Sequence, residues 1–164
     1  PSEERGQRIA TAGIVRACNL NDDGTSNLLL QGLVRVECLS IAQEEPYRII
    51  EVQTLASERD HADDRGPKLR RRIERLLSLR RQLGAPTPEG FTQFLRTVED
   101  PATFIDLVAF TLCESPPLKQ RLLETLDVNT RLQLYGDALR REIEALTLQK
   151  KLQGGLSDDE VSNN

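Results

Sequence analysis

The sequence predicts an α+β protein, a β-rich segment followed by a helical bundle, and three observations predict it. Residues 8–56 are rich in β-branched and aliphatic side chains broken by turn-forming clusters. Residues 57–66 offer almost nothing to bury. Beyond them apolar residues recur at helical spacing, and three helix starts are marked by an oxygen acceptor followed by proline.

In chain order, residues 9–20 read as a first strand. Asn21-Asp22-Asp23-Gly24 supplies Asx-type side-chain bonding and a glycine able to take positive φ, so the chain reverses there into a return strand at 26–30. An isolated strand glycine, Gly32, marks a bulge or bend. Leu33, Arg35 and Glu37 then alternate in side with Val34, Val36 and Cys38, the pattern of a half-buried strand. Pro46 tolerates only an edge or strand-start position, and residues 47–55 close the segment with Ile49, Ile50 and Val52 as its apolar core.

After the charged linker, Leu69, Ile73, Leu76, Leu77 and Leu83 trace a helix face, with Gly84 placed for a left-handed C-terminal cap. Thr87-Pro88, Asp100-Pro101 and Ser115-Pro116 predict short helices over 88–98, 101–113 and 116–126. Asp127 is placed to cap a last, longer helix along which Val128, Leu132, Tyr135, Leu139, Ile143 and Leu146 advance by four and three. The stripe either packs inside the bundle, our preferred reading, or is an exposed seam for self-association. The expected organisation is a β unit over 1–56, a charged linker over 57–66, a helical bundle over 67–153 and a flexible acidic tail over 154–164.

The 164 residues suffice for one domain or two small ones with a real core, and 38% hydrophobic with 29% charged residues is a globular composition. No apolar run approaches the roughly 20 residues that cross a bilayer, so no membrane partner is expected. The net charge of −4 argues against general polyanion binding, and hence against nucleic acid as a partner. Cys18, Cys38 and Cys113 are odd in number and widely spaced; they read as small core hydrophobes, and with no signal-like opening they point to a reducing cytoplasm. The chain contains no Met, so it is expected to be a fragment.

Enzyme chemistry finds no support. No Gly-x-x-x-x-Gly-Lys-Ser/Thr phosphate loop and no Gly-x-Ser-x-Gly elbow is present, and the single His61 lies in the charged linker, so no catalytic residue and no ATP site are assigned. One His and three scattered Cys do not make a metal site, and no cofactor site is assigned. Glu44-Glu45 read as solvated carboxylates, since neighbouring strand residues point to opposite faces. Lys68, Arg70, Arg71, Arg72, Arg75, Arg80 and Arg81 make the first helix strongly basic; arginine stems covering the helix, their charges facing water or acidic side chains, explain it better than an anionic partner.

One series ties these segments together. Ile9-Ala10-Thr11-Ala12-Gly13-Ile14-Val15, Asn21-Asp22-Asp23-Gly24, Leu29-Leu30-Gln31-Gly32-Leu33-Val34-Arg35 and Glu44-Glu45-Pro46-Tyr47 come first. Asp100-Pro101, Asp106-Leu107-Val108-Ala109, Lys119-Gln120-Arg121-Leu122-Leu123-Glu124 and Asp127-Val128-Asn129-Thr130-Arg131-Leu132 follow in the same order. This series resembles the amino-terminal domain of Lon proteases over residues 8–152. The resemblance implies a PUA-like β unit, a helical bundle behind it and capture of protein substrates for a downstream ATPase ring. The family's opening strands have no match before Pro1, so the β unit is expected to be incomplete, and the Gly154-Gly155 ending resembles a stand-alone Lon-domain protein. The leading expectation is a non-enzymatic domain that binds unfolded or partly folded polypeptide. The competing classes are a nucleic-acid-binding PUA-like module and a piece of a full ATP-dependent Lon protease. Leu33 and Tyr47 are candidate substrate contacts, with core packing as the alternative, and Arg35 is either a third contact or a structural salt-bridge partner.

Overall fold

The computed structural model describes residues 7–59 and 64–154. The expectations for His61, for residues 60–63 of the charged linker and for the tail beyond Gly154 lie outside the described residues. The chain divides into two compact units, one ending at Ser57 and the other beginning at Glu58.

The first unit is an antiparallel meander of β1 (Ile9–Leu20), β2 (Ser26–Gln43) and β3 (Ile49–Leu55), with β2 in the centre. The turn between β1 and β2 forms where the sequence places it. Gly24 takes φ +82°, its N–H donates to the Asn21 carbonyl at 3.1 Å, and Asp23 accepts from the Thr25 backbone and hydroxyl. The return strand and the strand expected after Gly32 are one element, because a bulge absorbs the irregularity. Ala12 pairs with Val34 and Gly13 with Gly32, which leaves Leu33 without a partner on β1. The closing strand begins at Ile49 rather than Tyr47.

The second unit holds α1 (Arg65–Gln82), α2 (Phe91–Thr97), α3 (Pro101–Leu112), α4 (Pro116–Glu124) and α5 (Val128–Gly154). Helix α1 starts inside the stretch read as linker. Its Gly66 is buried against α5, where a Cβ would come within 2.9 Å of Asn129 Oδ1. It ends in a Schellman turn, with Gly84 at φ +86° donating to the Arg81 carbonyl and Ala85 to the Arg80 carbonyl. Two of the three proline-marked starts form as expected, since Asp100 accepts from Thr103 N at 2.8 Å and Ser115 from Leu118 N at 3.4 Å. The third does not: α2 begins at Phe91, after Gly90 at φ +72°, and Pro88 sits in a turn whose carbonyl accepts from Phe91 N. Asp127 caps α5 through Thr130 N at 2.7 Å.

The core lies in the second unit, where Ile73, Leu77, Leu95, Phe104, Ile105, Val108, Leu112, Leu122, Val128, Leu132, Tyr135, Leu139 and Ile143 are all buried. Helices α1 and α5 run parallel: Gly66 meets Asn129, Arg72 pairs with Asp137 at 2.8 Å and Arg80 with Glu142 at 2.6 Å. The basic residues of α1 thus serve the bundle. Arg70 also stacks on Phe104, its guanidinium carbon 4.4 Å from the ring centre, and donates to the Leu95 and Glu99 carbonyls. Of the cysteines read as core hydrophobes, Cys113 is buried and Cys38 partly so, but Cys18 is exposed because the hairpin end of the sheet has nothing packed on it among the described residues. Among the described residues no helix is long and apolar enough to cross a membrane.

Two outcomes follow from this packing. Leu139, 1% exposed, is expected to cost about 2–5 kcal/mol when cut to Ala, because methyl groups leave a buried site in the helical core; urea denaturation followed by helical circular dichroism measures it. For Asp100, partial burial alone raises the carboxyl pKa, but the hydrogen bonds from Thr103 and the nearby Arg59 guanidinium outweigh it and hold the group below its usual 3.8. A lowered folded-state pKa favours the fold above the unfolded value and loses that contribution as pH falls through the folded one. Asp100→Asn is therefore expected to flatten the stability loss below about pH 4, seen by comparing urea midpoints of variant and parent down the acid limb.

Candidate functional site

The register of the sheet decides what its faces offer. Ala10 and Ala12 on β1, Val34, Val36, Cys38 and Ile41 on β2, and Ile50 and Val52 on β3 fall on one face. Arg35, Glu37, Ser40, Glu51 and Gln53 fall on the other, joined towards the hairpin end by Val15, Leu28 and Leu30. A face of the first composition is ordinarily the floor of a core. Here Val36, 3% exposed, is the one buried side chain of the unit among the described residues. Ile49, Ile50 and Val52, expected to be the core of the closing strand, are exposed, as are Ile14, Leu29, Leu30, Val34, Leu39 and Ile41. The alternation is as the sequence implies, yet among the described residues of this unit no second layer packs against it.

Bulges shape this surface. Arg16 and Leu33 interrupt the β1–β2 register, and Leu39 and Ala42 interrupt β2–β3. Beside the Leu33 bulge Gly13 faces Gly32 so closely that a Cβ on Gly13 would lie 2.4 Å from the Gln31 carbonyl oxygen. Only glycine permits that approach.

The three expected contact residues are placed differently from one another. Leu33 is the residue the bulge leaves unpaired, and it stands 59% exposed. Arg35 is half-buried, opposite Thr11 and Leu55, with Nη1 at 3.4 Å from the Ser57 hydroxyl. Tyr47 is 67% exposed, next to the cis Glu45-Pro46 bond, and its carbonyl accepts from Gln43 Nε2. Leu33 and Arg35 are near neighbours, but Tyr47 follows Gln43, eight positions along β2 from Arg35, or roughly 26 Å at strand rise. They do not form one cluster. Sequence reasoning passed over Leu39 and Ile41, whose alternation around the bulges matches no simple period. It also passed over Phe110, 79% exposed on α3 beneath Lys119, whose position off the buried stripe of Phe104, Val108 and Leu112 was legible from helical spacing.

Residues 1–141 match the family model of the ATP-dependent protease La (LON) substrate-binding domain. The chain belongs to that family. It is 26% identical over 162 residues to the Lon protease of Dictyoglomus thermophilum, covering 97% of this chain and 20% of that protein. It is 31% identical over 157 residues to the Lon protease of Desulfovibrio desulfuricans, covering 93% of this chain and 17% of that protein. The chain therefore spans about a fifth of the length of these relatives. Its fold is similar to the N-terminal domain of the Mycobacterium avium complex Lon protease, with a TM-score of 0.66 at 19% identity over 84% of this chain and 73% of that one. The α+β architecture and the Lon-type resemblance of the sequence agree with these matches.

The tight Gly13–Gln31 approach predicts that Gly13→Ala destabilises the β1–β2 ladder by about 1–3 kcal/mol, since the backbone must shift to admit the methyl. Native-state amide exchange is the measurement, with protection falling in strands β1 and β2 while the helical unit keeps its own.

Proposed function

We propose that this Lon-type domain holds unfolded or partly folded polypeptide on the open apolar sheet of its first unit and itself cleaves nothing. The observation that carries the reading is the sheet face of Val34, Ile41, Ile50 and Val52, exposed on a unit whose described residues bury little. Contiguous apolar surface of this kind gains free energy by covering apolar segments without demanding a sequence, which suits a surface that meets many unfolded chains. Leu33 extends the apolar area at the bulge and Tyr47 offers an aromatic ring at the far end, while Arg35 stands on the opposite face, a hydrogen-bond donor apart from both. The basic helix gives no comparable support to nucleic acid, because Arg70, Arg72 and Arg80 are paired with Glu74, Asp137 and Glu142. The free cysteines suit a cytoplasmic setting, and the proteolysis such capture would serve belongs to chemistry outside these residues.

The double variant Ile41→Ser/Ile50→Ser removes apolar area from exposed positions. It is expected to weaken binding of a reduced, alkylated and permanently unfolded protein by about tenfold while leaving the melting curve of the helical unit in place. Binding should change little between low and moderate salt. Unchanged affinity in the variant refutes the sheet as the capture surface, and a steep salt dependence favours a polyanion instead.

A further inference from the structure

A second surface lies wholly within the helical unit. A groove of about 660 Å³ opens between the end of α1, the α3–α4 connection and the outer half of α5. Its size falls within the roughly 300–1,000 Å³ of pockets that take small ligands or single anchoring side chains. Leu112, Leu118, Leu139 and Leu146 form its walls.

The polar groups at its floor are unusual in being buried and incompletely bonded. Arg80 is 3% exposed; its Nε donates to Glu142 at 2.6 Å and its Nη1 to the Pro86 carbonyl at 2.7 Å. Among the described residues the Arg80 side chain bonds no third partner, and it lines the groove. The buried Tyr135 lines the same groove, and its hydroxyl makes no hydrogen bond among the described residues. Desolvation, with the nearby Cys113 and Glu142, pushes that hydroxyl well above its ordinary pKa despite Arg80, so it stays a neutral donor. Donors set in a largely apolar groove bond an acceptor, and most strongly a charged one, in competition with little water.

The rim points to the acceptor's charge. Arg141 and Lys150 join Arg80, against the acids Glu114 and Glu142, and Glu142 is already engaged by Arg80 Nε. The groove is thus net cationic in a chain whose formal charge is −4. Lys150 Nζ lies 4.0 Å from where a Gly84 Cβ would stand, so its ammonium reaches from α5 to the end of α1 over the groove. Apolar walls with donors at the floor match a ligand in which a carboxylate and an apolar side chain share one carbon, as they do at a chain end. An acidic residue inside an extended segment sends its immediate neighbours to the opposite side.

We propose that this groove takes the C-terminal residue of a polypeptide, with an apolar side chain against Leu118 and Leu146 and its free carboxylate on the Arg80 guanidinium and the Tyr135 hydroxyl, Lys150 closing over it. The proposal stands apart from capture on the sheet.

The test is a fluorescence-anisotropy titration of the full chain with a fluorescein-labelled decapeptide of glycine and serine that ends in leucine. The free-acid peptide is expected to bind saturably and its C-terminal amide about tenfold or more weakly, the loss that a charge-assisted hydrogen bond implies. Lys150→Glu, at an exposed position, should weaken the free acid several-fold with an unchanged melting curve, and Arg80→Lys, measured on protein that keeps its helical circular dichroism, should narrow the difference between acid and amide. Equal affinity for acid and amide, no saturable binding, or indifference to both substitutions overturns the proposal. The sheet variant Ile41→Ser/Ile50→Ser should bind the peptide as the parent does; if it loses the peptide together with the unfolded protein, the groove is not the site.

Discussion

The helical unit depends on one stripe, the line of Val128, Leu132, Tyr135, Leu139 and Ile143 along α5. These residues are spaced so that one side of a helix is continuously apolar, and α1, α3 and α4 are short or strongly charged elements that bury little alone. Packing on a common long helix lets each bury its own face. The parallel run of α1 along α5 follows from where their small and charged residues meet. Asn129 lies over Gly66, Gly136 faces Ile73, and the Arg72–Asp137 and Arg80–Glu142 pairs fix the offset. The bridge of Glu58 to the start of α5 anchors the same alignment at its beginning.

The arginines of α1 show how a charged helix enters a bundle without a charged partner outside it. Arg70 lays its guanidinium on Phe104 and bonds two carbonyls near the end of α2, while Arg80 threads between Glu142 and the Pro86 carbonyl. A planar group with five donors satisfies several acceptors at once, which a lysine does not. Buried Arg131 is held similarly by Asp106 across α3 and α5, at 2.6 Å. These contacts set register more than they add stability, because desolvating each guanidinium offsets much of the attraction.

The two units solve opposite problems. The helical unit closes on itself and keeps a groove lined by Arg80 and Tyr135. The sheet keeps its hydrogen-bonded ladder but exposes apolar residues on both sides of its hairpin end.

The sequence by itself determined the α+β class, the first hairpin turn, the Schellman end of α1, two proline-marked helix starts and the buried stripe of α5. Each of these is set within a few residues, by a side-chain cap, a glycine at positive φ or a regular apolar period. The family resemblance was also legible, because it rests on the order of such local motifs. Only the tertiary structure decided that Ile49, Ile50 and Val52 are exposed rather than core, since burial depends on what packs against a strand and not on its alternation. It likewise decided the parallel pairing of α1 with α5, the separation of Tyr47 from Leu33 and Arg35, and the meeting of Arg80 with Tyr135. These are contacts between residues far apart in the chain, and no local period encodes which distant face will be there to meet them.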